Sequence, residues 1–414
     1  MTKSFYSTIS ILFLSLVSLQ AQNAGCDGTR YKADVFPTFK KTTVVYAPTV
    51  GHTGNNLNLS MDVYEPVGDV VAERPVVILA HGGSFIFGDR SNMAKWCELL
   101  AKKGYVAATI SYRLWPLFTL GYPDSLNIFD TAVKAVGDMR AAVRYFREDA
   151  ATNNLFHADA DHIFIGGYSA GAVAALHCSY LDLGDNVPAF LQTMITNNGG
   201  LDGISGTASN KTYSSSSKAT ISMSGGLYRN GWIDITEVPL VSIHGTADAT
   251  VPYVSGLAAN IAYLQGSSLL HARASDIGLW NSLHTVPGGG HSDIYDNAIY
   301  KPHIDTFWVN ATTMLESITC AAVGTQSPIS WENDWFVSPN PNAGQQFTVH
   351  LPENVSVADV QLVNLTGQLV YQQKGVNDNS LVRLPELAKG MYLIRLSEPG
   401  NAGKRFVAKK FVVE

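Results

Sequence analysis

Ser169 sits in the run Gly167-Tyr168-Ser169-Ala170-Gly171. In this G-x-S-x-G pattern, small residues at both ends let a strand and a helix approach closely while the serine hydroxyl stands clear of the turn. A serine hydroxyl is a weak nucleophile at neutral pH and needs a base, usually a histidine oriented by a carboxylate. Downstream, Val241-Ser242-Ile243-His244-Gly245-Thr246-Ala247-Asp248 carries an apolar strand into a loop with an acid, and Gly288-Gly289-Gly290-His291-Ser292 follows the last strand of that region. Asp248 is therefore the candidate acid and His291 the candidate base. Asp234 precedes its neighbouring strand, Asp276 lies beyond the acid position, His284 is beside the last strand, His303 falls in the final helix, and His244 reads as a loop-shaping residue. Upstream, His81-Gly82-Gly83-Ser84 closes another apolar strand. Acyl transfer puts negative charge on a former carbonyl oxygen, and a glycine-rich turn can aim backbone N–H groups at it. Gly82 and Gly83, with the N–H of Ala170 at a helix start, are the expected donors. Phe85, Trp115 and Tyr168 lie beside these motifs and are expected to face substrate, with Trp115 to Tyr122 as a substrate-facing loop.

These residues need a scaffold that brings strand ends together. Pro75 to Ala80 is a short apolar, β-branched run of the kind a buried parallel strand shows. Strands are expected over 57–64, 105–111, 162–167, 219–224, 239–244 and 282–287, and helices over 92–103, 127–151, 170–181, 253–264 and 294–317, the last broken or kinked at Pro302. Alternating strands and helices predict an α/β domain with a mostly parallel sheet flanked by helices. Each candidate residue then lies at a C-terminal strand end, where such sheets place their sites. His157-Ala-Asp159-Ala-Asp161-His162 is too short and wrongly spaced for a zinc or calcium site. No metal or cofactor is expected.

The order His81-Gly82-Gly83, Gly-Tyr-Ser169-Ala-Gly, Asp248, His291 resembles the α/β-hydrolases of the esterase/lipase type, in particular the carboxylesterase and hormone-sensitive-lipase-like group, over residues 40–320. The resemblance implies a Ser-Asp-His triad, an acyl-enzyme intermediate and a small-molecule or polymer-attached ester as substrate. That group usually has a third glycine where this chain has Ser84, which keeps the N–H and adds a side chain beside the acyl site. Two other readings use the same residues. One is a serine peptidase of the prolyl-oligopeptidase type, against which stands the absence of an obvious propeller or large N-terminal domain. The other is a non-catalytic hydrolase fold that binds a partner, against which stands the complete residue set. Acetyl, feruloyl, short-chain lipid and polyester substrates are all compatible with the motifs.

The 414 residues are 46% hydrophobic and 15% charged, a balance that suits folded domains and excludes a disordered chain. A net charge of −6 argues against a nucleic-acid partner. Lys3, the apolar run Ile9–Leu19 and Ala21 form a signal-peptide pattern over 1–21, too short to span a bilayer, and no transmembrane segment is expected in the mature chain. The catalytic domain is expected over 22–322, with 19 basic and 26 acidic residues, followed by a linker over 323–334; the segment from 323 onward holds eight of each. From 335 the chain shows short alternating strands separated by Asn, Gly and Pro turns, which predict a small β-sandwich. Ser338-Pro-Asn-Pro341, Leu365-Thr-Gly367-Gln, Leu387-Ala-Lys-Gly390-Met-Tyr392-Leu and the terminal Lys409-Lys410-Phe-Val-Val resemble the C-terminal sorting domain of type IX secretion substrates. That resemblance implies docking to the secretion machinery through 335–414 and export from a Gram-negative bacterium to its surface or the medium. A carbohydrate-binding sandwich is the alternative, and the few aromatics speak against it. Cys26, Cys97, Cys178 and Cys320 allow three full pairings, with Cys178 placed in an apolar helix as a buried thiol.

Overall fold

The computed structural model describes residues 25–182, 184–321, 335–342, 345–351, 355–364, 369–397 and 407–413. The expected signal peptide and linker lie outside them. Two compact units separate near residue 321.

The strands of the first unit are β1 (Phe39–Val50), β2 (Asn56–Pro66), β3 (Arg74–Ala80), β4 (Val106–Ile110), β5 (Ala158–Tyr168), β6 (Thr220–Met223), β7 (Gly226–Leu227), β8 (Leu240–Gly245), β9 (Ser255–Ala258), β10 (Ala262–Gly266) and β11 (Asn281–Val286). Its helices are α1 (Ala94–Lys102), α2 (Leu117–Leu120), α3 (Ser125–Ala151), α4 (Ala170–Tyr180), α5 (Ala189–Asn197), α6 (Ser267–Asp276), α7 (Asp293–Asp296) and α8 (Lys301–Thr319). Eight strands form one sheet in the order β1-β2-β4-β3-β5-β6-β8-β11. β2 runs antiparallel to both β1 and β4, and the remaining pairs are parallel.

Successive side chains of a strand point to opposite faces, so one apolar run feeds two cores. Val76, Ile78 and Ala80 of β3 and Ile163 and Ile165 of β5 pack beneath α3 and α4, whereas Val77, Leu79 and Phe164 pack beneath α1 and α8. Helix α4 is buried nearly all round, which its run of alanines permits. Cys26 and Cys320 form a disulfide, with Cα atoms 5.6 Å apart, and Cys97 and Cys178 are buried free thiols.

Two local expectations are corrected. Residues 253–264 do not form a helix: β9 and β10 pair antiparallel, and β10 also pairs with β7. Ala259 and Asn260 take φ of 48° and 58° at the tip, a left-handed pair that closes a hairpin and that no right-handed helix contains. The expected 294–317 helix is interrupted at Asn297, which is extended, and its long part, α8, starts only at Lys301 with Pro302 in its first turn. There the missing N–H of Pro302 would have had no partner within the helix.

The second unit has β12 (Phe336–Ser338), β13 (Gln346–His350), β14 (Val357–Asn364), β15 (Leu369–Asn377), β16 (Ser380–Arg383), β17 (Gly390–Ser397) and β18 (Val407–Val413). They form two antiparallel sheets, β12-β13-β16 and β15-β14-β17-β18. Phe347 and Val382 from one sheet share a core with Val360, Ile394 and Phe411 from the other.

Candidate active site

Ser169 occupies the turn between β5 and α4 with φ 53° and ψ −119°, a conformation that costs a non-glycine residue free energy and persists only where its surroundings enforce it. The enforcement is visible. The Ser169 N–H donates to the Met223 carbonyl at 2.8 Å, and its own carbonyl accepts from Val173 N–H at 2.9 Å. A Cβ at position 171 would lie 2.1 Å from the Ala80 carbonyl oxygen, so only glycine lets α4 start this close to β3.

The parallel register aligns the ends of β3, β5, β8 and β11, with Ala80 opposite Gly167 and Val286 opposite Gly245. The loops after β8 and β11 are stitched together: Thr246 N–H donates to Val286 O and Ala247 N–H to Gly289 O. As a result Ser169 Oγ lies 2.8 Å from His291 Nε2, and His291 Nδ1 lies 2.7 Å from Asp248 Oδ2. A carboxylate only accepts, so Nδ1–H donates to Asp248 and Nε2 is left to accept from the serine hydroxyl. The Asp248 side chain is wholly buried. Its other oxygen accepts from Thr250 and Val251 N–H at 2.8 and 2.9 Å. Burial opposes ionisation of this carboxyl, but hydrogen bonds from His244, His291 and Val251 outweigh it and hold the group well below the usual carboxylate range.

His244 shows a relation that the sequence reading did not extract. Its Nε2 lies 3.2 Å from Asp248 Oδ2 and 2.9 Å from Val251 O, while Nδ1 accepts from Ser267 Oγ at 2.8 Å. Two imidazoles thus meet one carboxylate oxygen. The i, i+4 spacing of His244 and Asp248 across a strand end was the available signal.

The His81–Ser84 turn packs directly on the serine: a Cβ at Gly82 would lie 3.0 Å from Ser169 Cβ. Tyr112 OH donates to His81 O at 2.7 Å, and Ile86 and Phe87 N–H donate to Gly83 O at 2.9 Å. The N–H groups of Gly82 and Gly83 meet no acceptor among the described residues, and Ala170 N–H, first in α4, has no acceptor within its helix.

A cavity lined at the nucleophile by Ser84, Phe85, Ser169 and Ala170 runs between α3, α4, α5 and the β9–β10 hairpin. Its walls are almost entirely apolar. Of the three residues expected to face substrate, only Phe85 lines it. Trp115 is buried, with its indole N–H donating to Gly121 O at 2.8 Å, and so braces its own loop. Tyr168 stacks on the His291 ring, centroids 5.2 Å apart, and packs edge-on against Tyr295. Burial pushes its phenol up to about 12, so the hydroxyl stays protonated and donates to His291 O at 3.4 Å. Within the 157–162 run, His162 Nδ1 lies 2.7 Å from Asp159 Oδ2.

Residues 61–198 match the BD-FAE family model, and residues 337–414 match the secretion system C-terminal sorting domain. Esterase-5A of Drosophila persimilis is 32% identical over 124 residues, 30% of this chain and 21% of that protein. Esterase-5B of the same species is 31% identical over 119 residues, 28% of this chain and 20% of that protein. The chain thus spans about a fifth of the length of the curated relatives it matches. The propionate-bound structure of Thermogutta terrifontis esterase 2 is similar at 20% identity and a TM-score of 0.48, covering 67% of this chain and 94% of that one. Residues 61–198 thus resemble an esterase/lipase-like domain, and residues 337–414 match a type IX sorting domain, the mark of a protein exported to the cell surface or the medium.

Proposed function

We propose that this exported α/β-hydrolase cleaves carboxylic esters through Ser169, His291 and Asp248 by way of an acyl-enzyme. The observation that carries the reading is the unbroken hydrogen-bond line Ser169 Oγ–His291–Asp248 beside the Gly82 and Gly83 amides, which meet no acceptor among the described residues. Ser169 Oγ attacks the ester carbonyl carbon while His291 Nε2 takes its proton. The carbonyl oxygen becomes the oxyanion and is met by the Gly82, Gly83 and Ala170 N–H groups, each such donor contributing about 2.7–4 kcal/mol in the transition state. Asp248 stabilises the imidazolium without taking its proton. The tetrahedral intermediate then collapses, the bond to the alcohol oxygen breaks, and His291 returns the proton to that oxygen. Water repeats the cycle on the acyl-serine.

The test is hydrolysis of p-nitrophenyl acetate and butyrate by the full-length chain and its Ser169→Ala variant, with fluorophosphonate labelling of Ser169. Turnover that drops by about 10⁴-fold or more in the variant supports the reading. Undiminished turnover in Ser169→Ala, or none on any ester from a folded protein, would overturn it.

A further inference from the structure

We propose that the acyl half of the substrate is an unbranched alkyl chain of medium length, about eight to twelve carbons, bound in the cavity along α4. The inference rests on the ester-hydrolase reading and adds the side on which the chain lies and its length.

The side follows from the stereochemistry of the tetrahedral carbon. Its four substituents are Ser169 Oγ, the oxyanion, the leaving alkoxy oxygen and the acyl carbon chain. The alkoxy oxygen must face His291, which protonates it. Ser84, Phe85, Ser169 and Ala170 are among the walls of the cavity, and His291 is not. The direction left for the acyl chain is therefore the one in which the cavity runs.

The length follows from helix geometry. Ala170, Val173, Ala174, His177 and Leu181 line the cavity with the 3–4 residue spacing of a single helix face. From Ala170 to Leu181 that face extends about 16 Å at about 1.5 Å per residue. An extended hydrocarbon with C–C bonds of about 1.5 Å advances about 1.25 Å per carbon along its zigzag, so about twelve carbons reach the end.

The chemistry follows from the walls. Val133 of α3 and Leu191 of α5 also line the cavity. His177, the one imidazole there, donates from Nδ1 to Val173 O at 2.8 Å and accepts at Nε2 from Tyr228 N–H at 3.2 Å. Both nitrogens are engaged within the fold, so the ring presents carbon to the cavity. Tyr228 stacks on Trp232 with centroids 5.5 Å apart. Such a channel gains from each methylene it takes from water and offers little to a sugar acid.

The full-length chain should be assayed on p-nitrophenyl esters from acetate to palmitate. The expected kcat/KM rises about three- to fourfold per methylene beyond butyrate, peaks between octanoate and dodecanoate, and falls at palmitate. The isomers ethyl octanoate and octyl acetate separate the two sides of the ester: octanoate should be favoured at least tenfold. Ala174→Phe, which puts a ring midway along the channel, should lower the decanoate-to-acetate ratio at least tenfold, and Ala132→Phe does the same from α3 should the first variant not fold. A Ser169-dependent optimum at acetate, a preference for octyl acetate or for cinnamoyl esters, or an unchanged ratio in the folded variants would overturn the acyl assignment and leave ester hydrolysis standing. Absence of turnover on every ester, acetate included, would overturn both.

Discussion

Asp248 has more partners than a base-orienting carboxylate requires. With His291 Nδ1 and His244 Nε2 both on Oδ2, the carboxylate is fixed from two sides, and the acceptor-only Asp248 carboxylate and Val251 carbonyl at Nε2 fix the tautomer of His244, leaving Nδ1 to accept from Ser267. His244 meets the Ser169–His291–Asp248 line at Asp248, so its effect on turnover passes through that carboxylate. Removing a hydrogen bond to a charged group costs about 1.5–3 kcal/mol, so His244→Ala should lower kcat roughly ten- to a hundredfold with little change in KM. His244→Gln, which keeps an N–H donor near the Nε2 position, should recover part of the loss; a steady-state comparison of the two variants on one ester checks this. At this scale the sequence was most readable where chemistry demands a fixed residue type at a strand end. Ser169, Asp248 and His291 stand out because glycine-bearing loops follow apolar runs, and the structure brings the three within hydrogen-bonding distance. Trp115 and Tyr168 lie beside the motifs in sequence but do not line the cavity. Proximity to a motif along the chain carries no information on side-chain direction: Trp115 braces its own loop and Tyr168 stacks on His291.

Among the elements, the turn after β3 is the most exacting. Gly83 takes φ 122°, and a Cβ there would lie 2.1 Å from the Phe87 carbonyl oxygen, while Ser84 and Phe85 follow at positive φ. Gly83→Ala must move the turn and with it the proposed oxyanion donors. The expected result is a hundred- to thousandfold drop in kcat on p-nitrophenyl acetate, as for loss of one such donor. A lower thermal midpoint should accompany it, from about 1–3 kcal/mol of backbone strain. Buried parallel strands and long amphipathic helices were legible because their apolar runs have no other use. β1 was not anticipated: it is the sheet's edge strand, exposed along most of its first half at Lys40, Lys41, Thr42 and Thr43. α5 buries only Leu191 and Ile195, too brief a stripe to establish a period. The 253–264 segment has an apolar content compatible with either a helix or strands, and the choice is made by its pairing with β7, distant in sequence.

For the whole molecule, burial sets the pH dependence of stability. His52, His177 and His271 are each pushed down from 6.5 to about 4, chiefly by burial, so they stay neutral in the fold while the unfolded chain protonates them. Their contribution is complete above about pH 6.5 and is lost as the pH falls towards 4, since the unfolded state then binds more protons. Glu237, pushed up to about 8 by burial, acts in the opposite sense between about 4.5 and 8, one group against three. The thermal midpoint should therefore be lower at pH 5 than at pH 7, which calorimetry checks. Deleting residues 335–414 should leave the hydrolase in the periplasm of a type IX-competent host, whereas the full chain reaches the surface or the medium; cell fractionation distinguishes them. The Cys26–Cys320 bridge joins residues 294 apart in sequence, and so makes the hydrolase unit a covalent loop from which the sorting domain trails. A single proteolytic nick at an exposed site such as Ser214 or Ser216 would open that loop without releasing a fragment, and the two halves would migrate separately only after reduction.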